Sequence, residues 1–212
     1  MSNSFDPTAI EIDLGEYQTE YGIVQPWFPT LIYFKDDLHI DKLEEWSEIA
    51  KQNIENPLVN SRYANSLEVK STHGVMNLLQ VEELTPLWDT ITNHSQWFVN
   101  YMGYLKFRVQ LVEAWANISV QNDYLFPHKH PASFLSGAFY LKSSPSDDIM
   151  FMQEPTLFRP NYPTELTYDK VTYECSAGRL ILFKSDTMHG VTRQKSPDEK
   201  IVISFNLIGE YQ

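Results

Sequence analysis

At Gly103 the spacing of apolar residues changes period, and this limits the architectures open to the chain more than any other feature. Ahead of it, apolar residues recur three and four apart: Leu43, Trp46, Ala50 and Ile54, then Leu87, Trp88, Ile91, Phe98 and Met102. That is the repeat of helices that each bury one stripe. Behind Gly103 the residues alternate. In LKFRVQLVEAWANISVQ, residues 105–121, Val112, Ala114, Ala116, Ile118 and Val120 take one face, and Glu113, Trp115, Asn117 and Ser119 take the other. Such a strand packs one side on helices and turns the other to a polar interior. Asn122 and Asp123 supply the turn after it. Further strands are expected at 134–141, 149–153, 171–174, 179–184 and 200–208, between loops rich in Pro, Ser and Asp. Helices first and short strands after specify an α+β chain, with the strands closed or sandwiched into a jelly roll and the helices packed on one sheet.

Local signals refine the first half. Residues 1–25 are polar and acidic and read as an arm, with extended pieces at Ala9 to Leu14. Trp27 to Phe34, WFPTLIYF, is dense enough for a buried strand, which Pro29 confines to an edge or an irregular start. Asp41 and Glu44 stand as a capping pair for the first helix, and Pro57 stops it. Pro86 suits the first turn of the second helix, and Gly103 its end. The chain is expected to form a single domain over 1–212: arm and edge strand at 1–35, supporting helices at 36–103, barrel at 104–212. The long, proline-rich, tyrosine-bearing loop from Glu154 to Lys170 has the length of a lid or binding element.

Composition excludes several classes. With 28 acidic against 16 basic residues the chain carries a formal charge of −12. Such a surface repels nucleic acid and anionic lipid, and its commonest use is solubility. Cys175 is the single cysteine, so no intrachain disulfide and no Cys-ligated zinc site can form. MSNSFDPTAIEIDLGE has neither a basic start nor an apolar segment, and no stretch approaches bilayer-spanning length. The expectation is a soluble protein of the cytoplasm.

Six histidines are present. His128 and His130 stand two apart, just ahead of the apolar run of FPHKHPASFLSGAFYL, so extended backbone sends both imidazoles to one side. His189 follows another apolar run, GRLILFK. Three imidazoles converging inside a β-barrel would make a metal site, although H-x-H alone is a weak motif that a surface turn can also hold. His39, His73 and His94 lie in or around the second helix and are assigned to packing. On the last strand Lys200, Val202, Ser204 and Asn206 share a face, and Ile201, Ile203, Phe205 and Leu207 share the other. A lysine at that place needs an anionic partner, or it guards the strand edge in solvent. Ser136 and Tyr140, four apart, also share a face.

The order W-x-N, H-x-H-P, S-G-x-x-Y-L, G-R-L-I-L-F, H-G-V, K-I-V-I-S-F-N, spanning about 112–208, resembles the 2-oxoglutarate and Fe(II)-dependent oxygenases. The similarity is strongest to a prolyl-hydroxylase-like subfamily found in phages and bacteria. W-F-P-T near the N-terminus is also similar to that subfamily. The resemblance implies a double-stranded β-helix with Fe(II) and the co-substrate 2-oxoglutarate. It implies His128 and His189 as metal ligands, with His130 where most of the superfamily has a carboxylate. It implies Lys200 as the grip on the co-substrate, Ser136 as the hydroxyl that helps hold its far carboxylate, Tyr140 as the co-substrate-binding tyrosine four residues further on, and Trp115 and Asn117 as lining of its pocket. The activity implied is hydroxylation of a C–H bond in a peptide or protein, with a prolyl residue among the targets, or in a small molecule, with release of succinate and CO₂. A neutral third imidazole leaves the metal at a higher net charge than a carboxylate would, which favours anionic co-substrates and can also favour Zn²⁺ or Cu²⁺. Asp123, Asp147 and Asp148 are substitute carboxylates, but none has the two-residue spacing. Two other readings stand beside this one. A cupin-type metal enzyme without 2-oxoglutarate would add a glutamate soon after H-x-H, which Pro131 to Ser136 lacks, and a non-catalytic barrel would have kept the fold alone.

Overall fold

The computed structural model describes residues 17–20, 22–24, 29–56, 61–62, 69–143, 148–153, 160–163 and 167–212. The extended pieces expected at Ala9 to Leu14, the helix stop at Pro57, Trp27 and Phe28, Asp147 and parts of the loop from Glu154 to Lys170 lie outside them. In chain order come β1 (Tyr17–Thr19), β2 (Gly22–Val24), β3 (Ile32–Lys35), α1 (Leu43–Glu55), β4 (Ser61–Arg62), β5 (Lys70–Ser71) and α2 (Thr85–Tyr101). They are followed by β6 (Phe107–Ser119), β7 (Leu125–His128), β8 (Leu135–Lys142), β9 (Asp148–Met152), β10 (Lys170–Glu174), β11 (Leu180–Lys184), β12 (Met188–Val191) and β13 (Lys200–Tyr211).

The two helices follow the apolar stripes. α1 buries Trp46, Ala50 and Ile54, and α2 buries Leu87, Trp88, Ile91, Phe98 and Val99. The capping pair expected for α1 does not form. The chain enters through a 3-10 turn, Ile40–Lys42, which already contains Asp41, and no side chain caps the helix. α2 ends as its glycine requires. Gly103 takes φ 88, Gly103 N–H donates to Asn100 O, and Tyr104 N–H donates to Val99 O, the paired bonds of a left-handed C-terminal cap.

The strands form two layers. One sheet has the order β3-β11-β8-β13-β6-β5-β4, the other β10-β9-β12-β7, and β1 pairs with β2. β3 is an edge strand, as Pro29 suggests, but half-buried, with Phe34 exposed. One face of the larger sheet meets both helices. Leu135, Phe139, Leu141, Leu180, Leu182, Ile201, Ile203, Phe205 and Leu207 join the helical stripes in one cluster. Each such side chain contributes about 1.5–3 kcal/mol on burial. The opposite face meets the smaller sheet and encloses Ala138, Tyr140, Ile149, Phe151, Ile181 and Phe183. These layers are the two walls of a double-stranded β-helix.

Alternation holds along β6 and β13 only because of an irregularity. Asn206 pairs with Glu113 but Leu207 with Leu111, so Val112 is an extra residue. The bulge changes phase. Phe107 and Val109 are buried on one side of it, and Ala114, Ala116 and Ile118 on the other, all facing the helices. Asn77 closes the bulge from outside the sheet. Its Nδ2 donates to Val112 O at 2.9 Å, and its Oδ1 accepts from Ala114 N–H at 3.1 Å. Val112 therefore leaves the face it was expected to share with Ala114.

Candidate metal centre and the cavity beside it

The two strands that carry the histidines are short and sit at one side of the smaller sheet, where β7 pairs with β12. His189 is opposite His128 and Val191 is opposite Leu125. Two steps on β12 thus match three on β7, so Phe126 and Pro127 bulge against Gly190. Without that extra residue, a strand that turns Leu125 inward would turn His128 outward. Gly190 permits the close approach. A Cβ there would lie 2.7 Å from Leu125 O and 3.1 Å from Pro127 N. Pro127 costs the ladder nothing, since bulges and edges are where a strand tolerates proline.

His128, His130 and His189 converge, with ligand atoms all within 4.8 Å of one another, as a group able to hold a metal ion. Two rings are held by their own strands. His128 Nδ1 donates to Phe126 O at 2.8 Å, and His189 Nδ1 donates to Thr187 O at 2.9 Å. A carbonyl can only accept, so both Nδ1 carry the proton and both Nε2 keep a lone pair. No described residue hydrogen-bonds the His130 ring, which packs 6.0 Å from Trp115, centroid to centroid. Burial lowers all three pKa values. His189 falls to about 3 and His130 to about 4, chiefly through desolvation and further through the neighbouring imidazoles. His128 is also lowered, mainly by burial. Neutral imidazoles are what a metal requires.

From the triad a partly enclosed, mostly apolar cavity with a few polar groups runs along the barrel interior, the general character of small-molecule sites. Trp115, Asn117, Ser119, Ser136, Tyr140 and Lys200 all line it, so every site residue named from the sequence opens on one space. Lys200 is 3% exposed, and no described carboxylate pairs with it. Its place at the rim in solvent is thereby ruled out. The registers order the cavity along its length. Lys200 pairs with Ser119, Val202 with Tyr140, Ser204 with Trp115, and Asn206 with both Glu113 and Ser136. The triad stands at the Trp115 end, where the His189 ring lies 4.4 Å from that of Phe183. Four residues of strand separate it from Lys200, ~13 Å at ~3.3 Å each.

Ser136 lies at the far end from Lys200. Its Oγ donates to Asn206 Oδ1 at 2.7 Å and is 2.7 Å from Ser185 Oγ. Asn117 bridges strands, accepting from Ser71 Oγ and donating to Ser204 Oγ. Asp123 lines the cavity near its lysine end, but its Oδ2 accepts from Val120 N–H and closes the turn. Asp148 begins β9 and, like Asp123, is not among the grouped ligands. His39 bonds Thr90 and His94 bonds Tyr33, as packing residues do. His73 departs from that assignment, because its ring lies 4.6 Å from the Trp115 ring at the edge of the site. Ser119 and Ser204 also line the cavity, on the faces that alternation gives β6 and β13.

Residues 113–206 match the model of a family described as "Putative 2OG-Fe(II) oxygenase", a span that contains the triad, Lys200 and the rest of the lining named above. The solved structures agree on the fold. The epimerase SnoN, in complex with Fe3+, alpha ketoglutarate and nogalamycin RO, superposes at TM-score 0.61 and 12% identity, with 86% of this chain and 82% of that one covered. The viral collagen prolyl hydroxylase vCPH from Paramecium Bursaria Chlorella virus-1, as its 2OG complex, gives 0.56 and 14%, covering 83% and 94%. A Pseudomonas putida prolyl-4-hydroxylase gives 0.58 and 12%, covering 84% and 92%. None of the curated proteins compared with the sequence matches it. The likeness to the 2OG-Fe(II) oxygenase family lies in segment 113–206, less than half of the chain, and this is the part that carries the candidate site.

Proposed function

We propose that the protein is an Fe(II)- and 2-oxoglutarate-dependent oxygenase, with His128, His130 and His189 holding the metal and Lys200 anchoring the co-substrate. The observation that carries this reading is the buried, unpaired ammonium of Lys200 at the opposite end of one cavity from three neutral imidazoles. A buried cation is costly without an anion beside it. The ~13 Å of strand, less the reach of the lysine stem, leaves the length of a short diacid between metal and ammonium. A cupin reading gives Lys200 no task. SnoN, whose fold is similar, is seen in complex with Fe3+ and alpha ketoglutarate.

The residues of this chain have separable tasks. The triad would hold the metal without displacing protons near neutral pH, because burial keeps the rings neutral, with Nε2 the free nitrogen of His128 and His189. Lys200 binds the distal carboxylate, and Ser119 and Tyr140, at the same end, complete its contacts. Ser136 is reassigned from that carboxylate to the metal end, where its hydroxyl braces Asn206. Phe183, Val191, Val202 and Ile149 line the cavity and keep water from the reacting atoms. Iron with 2-oxoglutarate and O₂ supplies oxidative decarboxylation to succinate and CO₂, coupled to hydroxylation of a C–H bond. The prolyl-hydroxylase likeness favours a peptide or protein substrate. We take the chain as one domain, since helices and barrel share one core. No described helix is long and apolar enough to cross a membrane; the lone, buried cysteine suits a reducing cytoplasm, and the acidic surface argues against nucleic acid.

Calorimetry and metal analysis test this together. The wild type is expected to bind one iron per chain and then 2-oxoglutarate, with slow succinate release in the absence of further substrate. His189→Ala should lose stoichiometric metal. Lys200→Ala should keep the metal and bind 2-oxoglutarate at least ~10-fold more weakly, about 1.4 kcal/mol. Iron bound in full by His189→Ala, or co-substrate affinity unchanged in Lys200→Ala, would overturn the reading.

A further inference from the structure

The triad has a second polar neighbourhood on the side away from Lys200, which the co-substrate leaves unused. Glu113 stands there, two residues from Trp115 on the same face of β6 and opposite Asn206. Its Oε2 accepts from Asn206 Nδ2 at 3.2 Å, and Asn206 Oδ1 accepts from Ser136 Oγ, itself in contact with Ser185 Oγ. Asn206, Ser136 and Ser185 are all buried. The other oxygen, Oε1, lies 3.7 Å from His73 Nε2, and the side chains of both Glu113 and His73 are 40% exposed. A carboxylate needed only for solubility would not be pinned from behind by a buried polar chain. Between it and His130 stands Trp115, 3% exposed, whose indole N–H has no acceptor. Its ring is a wall between the carboxylate and the metal ligands.

We propose that Glu113, with His73 beside it and the Trp115 ring as its wall, forms the primary-substrate subsite, and that it takes a peptide segment bearing an ammonium or guanidinium side chain. The inference rests on the oxygenase reading above and names its substrate class. The reacting centre is otherwise electropositive, with a divalent ion on neutral ligands and Lys200 beyond it. A cationic side chain is turned away from such a centre unless a carboxylate receives it at the edge. Glu113 stands at that edge, fixed in direction by Asn206. The net charge of −12 raises the local concentration of cationic partners in the same sense.

The probes are two unstructured heptapeptides, identical except for a central lysine or glutamate. They are titrated calorimetrically into the Zn²⁺-loaded protein with 2-oxoglutarate present, a complex that cannot turn over. The lysine peptide is expected to bind at least ~10-fold tighter than the glutamate peptide. Glu113→Gln, which keeps an oxygen for Asn206, should lose that preference, with metal content and circular dichroism reporting on the fold of the same samples. Equal binding of the two peptides, no binding of either, or a preference that survives Glu113→Gln would each overturn the proposal. Loss of metal or 2-oxoglutarate binding in the wild type would instead sink the oxygenase reading, and the lysine preference would then be read on the metal-free protein.

Discussion

Burial of the three imidazoles sets both what they bind and what they cost. In an unfolded chain they titrate near ~6.5, whereas His189 and His130 in the fold are lowered to about 3 and about 4. Between those values the unfolded chain holds more protons than the native one, so acid favours unfolding. The metal-free protein is therefore free of this penalty above pH ~6.5 and loses stability as pH falls toward the folded values. Urea midpoints measured from pH 7.5 to pH 5 should drop more steeply for the wild type than for His189→Asn. Equal slopes would show that the ring is not desolvated in solution. The histidines were legible in the sequence through H-x-H and a third ring after an apolar run, and Lys200 through its place on an alternating strand. His73 was not legible, because its part comes from a turn after β5 that brings it against Trp115 across the sheet, and no spacing along the chain encodes that contact.

At the scale of elements, the strands read from alternation appear within one or two residues of their expected ends, as β6, β8, β9, β10 and β11 do, while β13 starts where expected and runs three residues further. β7 and β12 escaped, though they carry two of the three ligands. Each is four residues long, and β7 includes exposed Phe126 and a proline, so neither period nor propensity marks it. The bulges were equally hidden, because the extra residue is defined by its partner strand. Gly190 is the point at which this element can be tested. An alanine there meets the β7 backbone, and backbone cannot rotate aside as a side chain does. Gly190→Ala should move β7 outward, weaken metal binding at least ~10-fold and cost about 1–3 kcal/mol of stability, the usual toll of overpacking. Iron titration and chemical denaturation would measure the two effects, and unaltered metal affinity would contradict the close-approach account.

For the whole molecule, one apolar core joins the helices to the outer face of the larger sheet, while the inner face carries the cavity with its few polar groups. The first is general hydrophobic patterning and the second is specific chemistry, and the two share strands β6, β8 and β13. Ligands that bind only the native barrel should stabilise it as a unit. At a hundred times its dissociation constant 2-oxoglutarate should add about 2.7 kcal/mol to the metal-loaded protein. Lys200→Met should abolish that gain and raise the stability of the unliganded protein, since it replaces a buried unpaired charge with an apolar chain of similar length. Thermal melts with and without the diacid would decide, and a full ligand-dependent rise in the methionine variant would refute the assignment. The bulge at Phe126 and Pro127 has a last implication for how such a protein can change by descent. A chain short of one residue between Leu125 and His128 would zip a straighter ladder onto β12 and keep every apolar residue of the core. It would be as well folded as its parent, or better, and blind to metals. Fitness as a stable object and fitness as a catalyst are thus opposed at a single peptide unit, and the surplus residue is the mark of which one has prevailed.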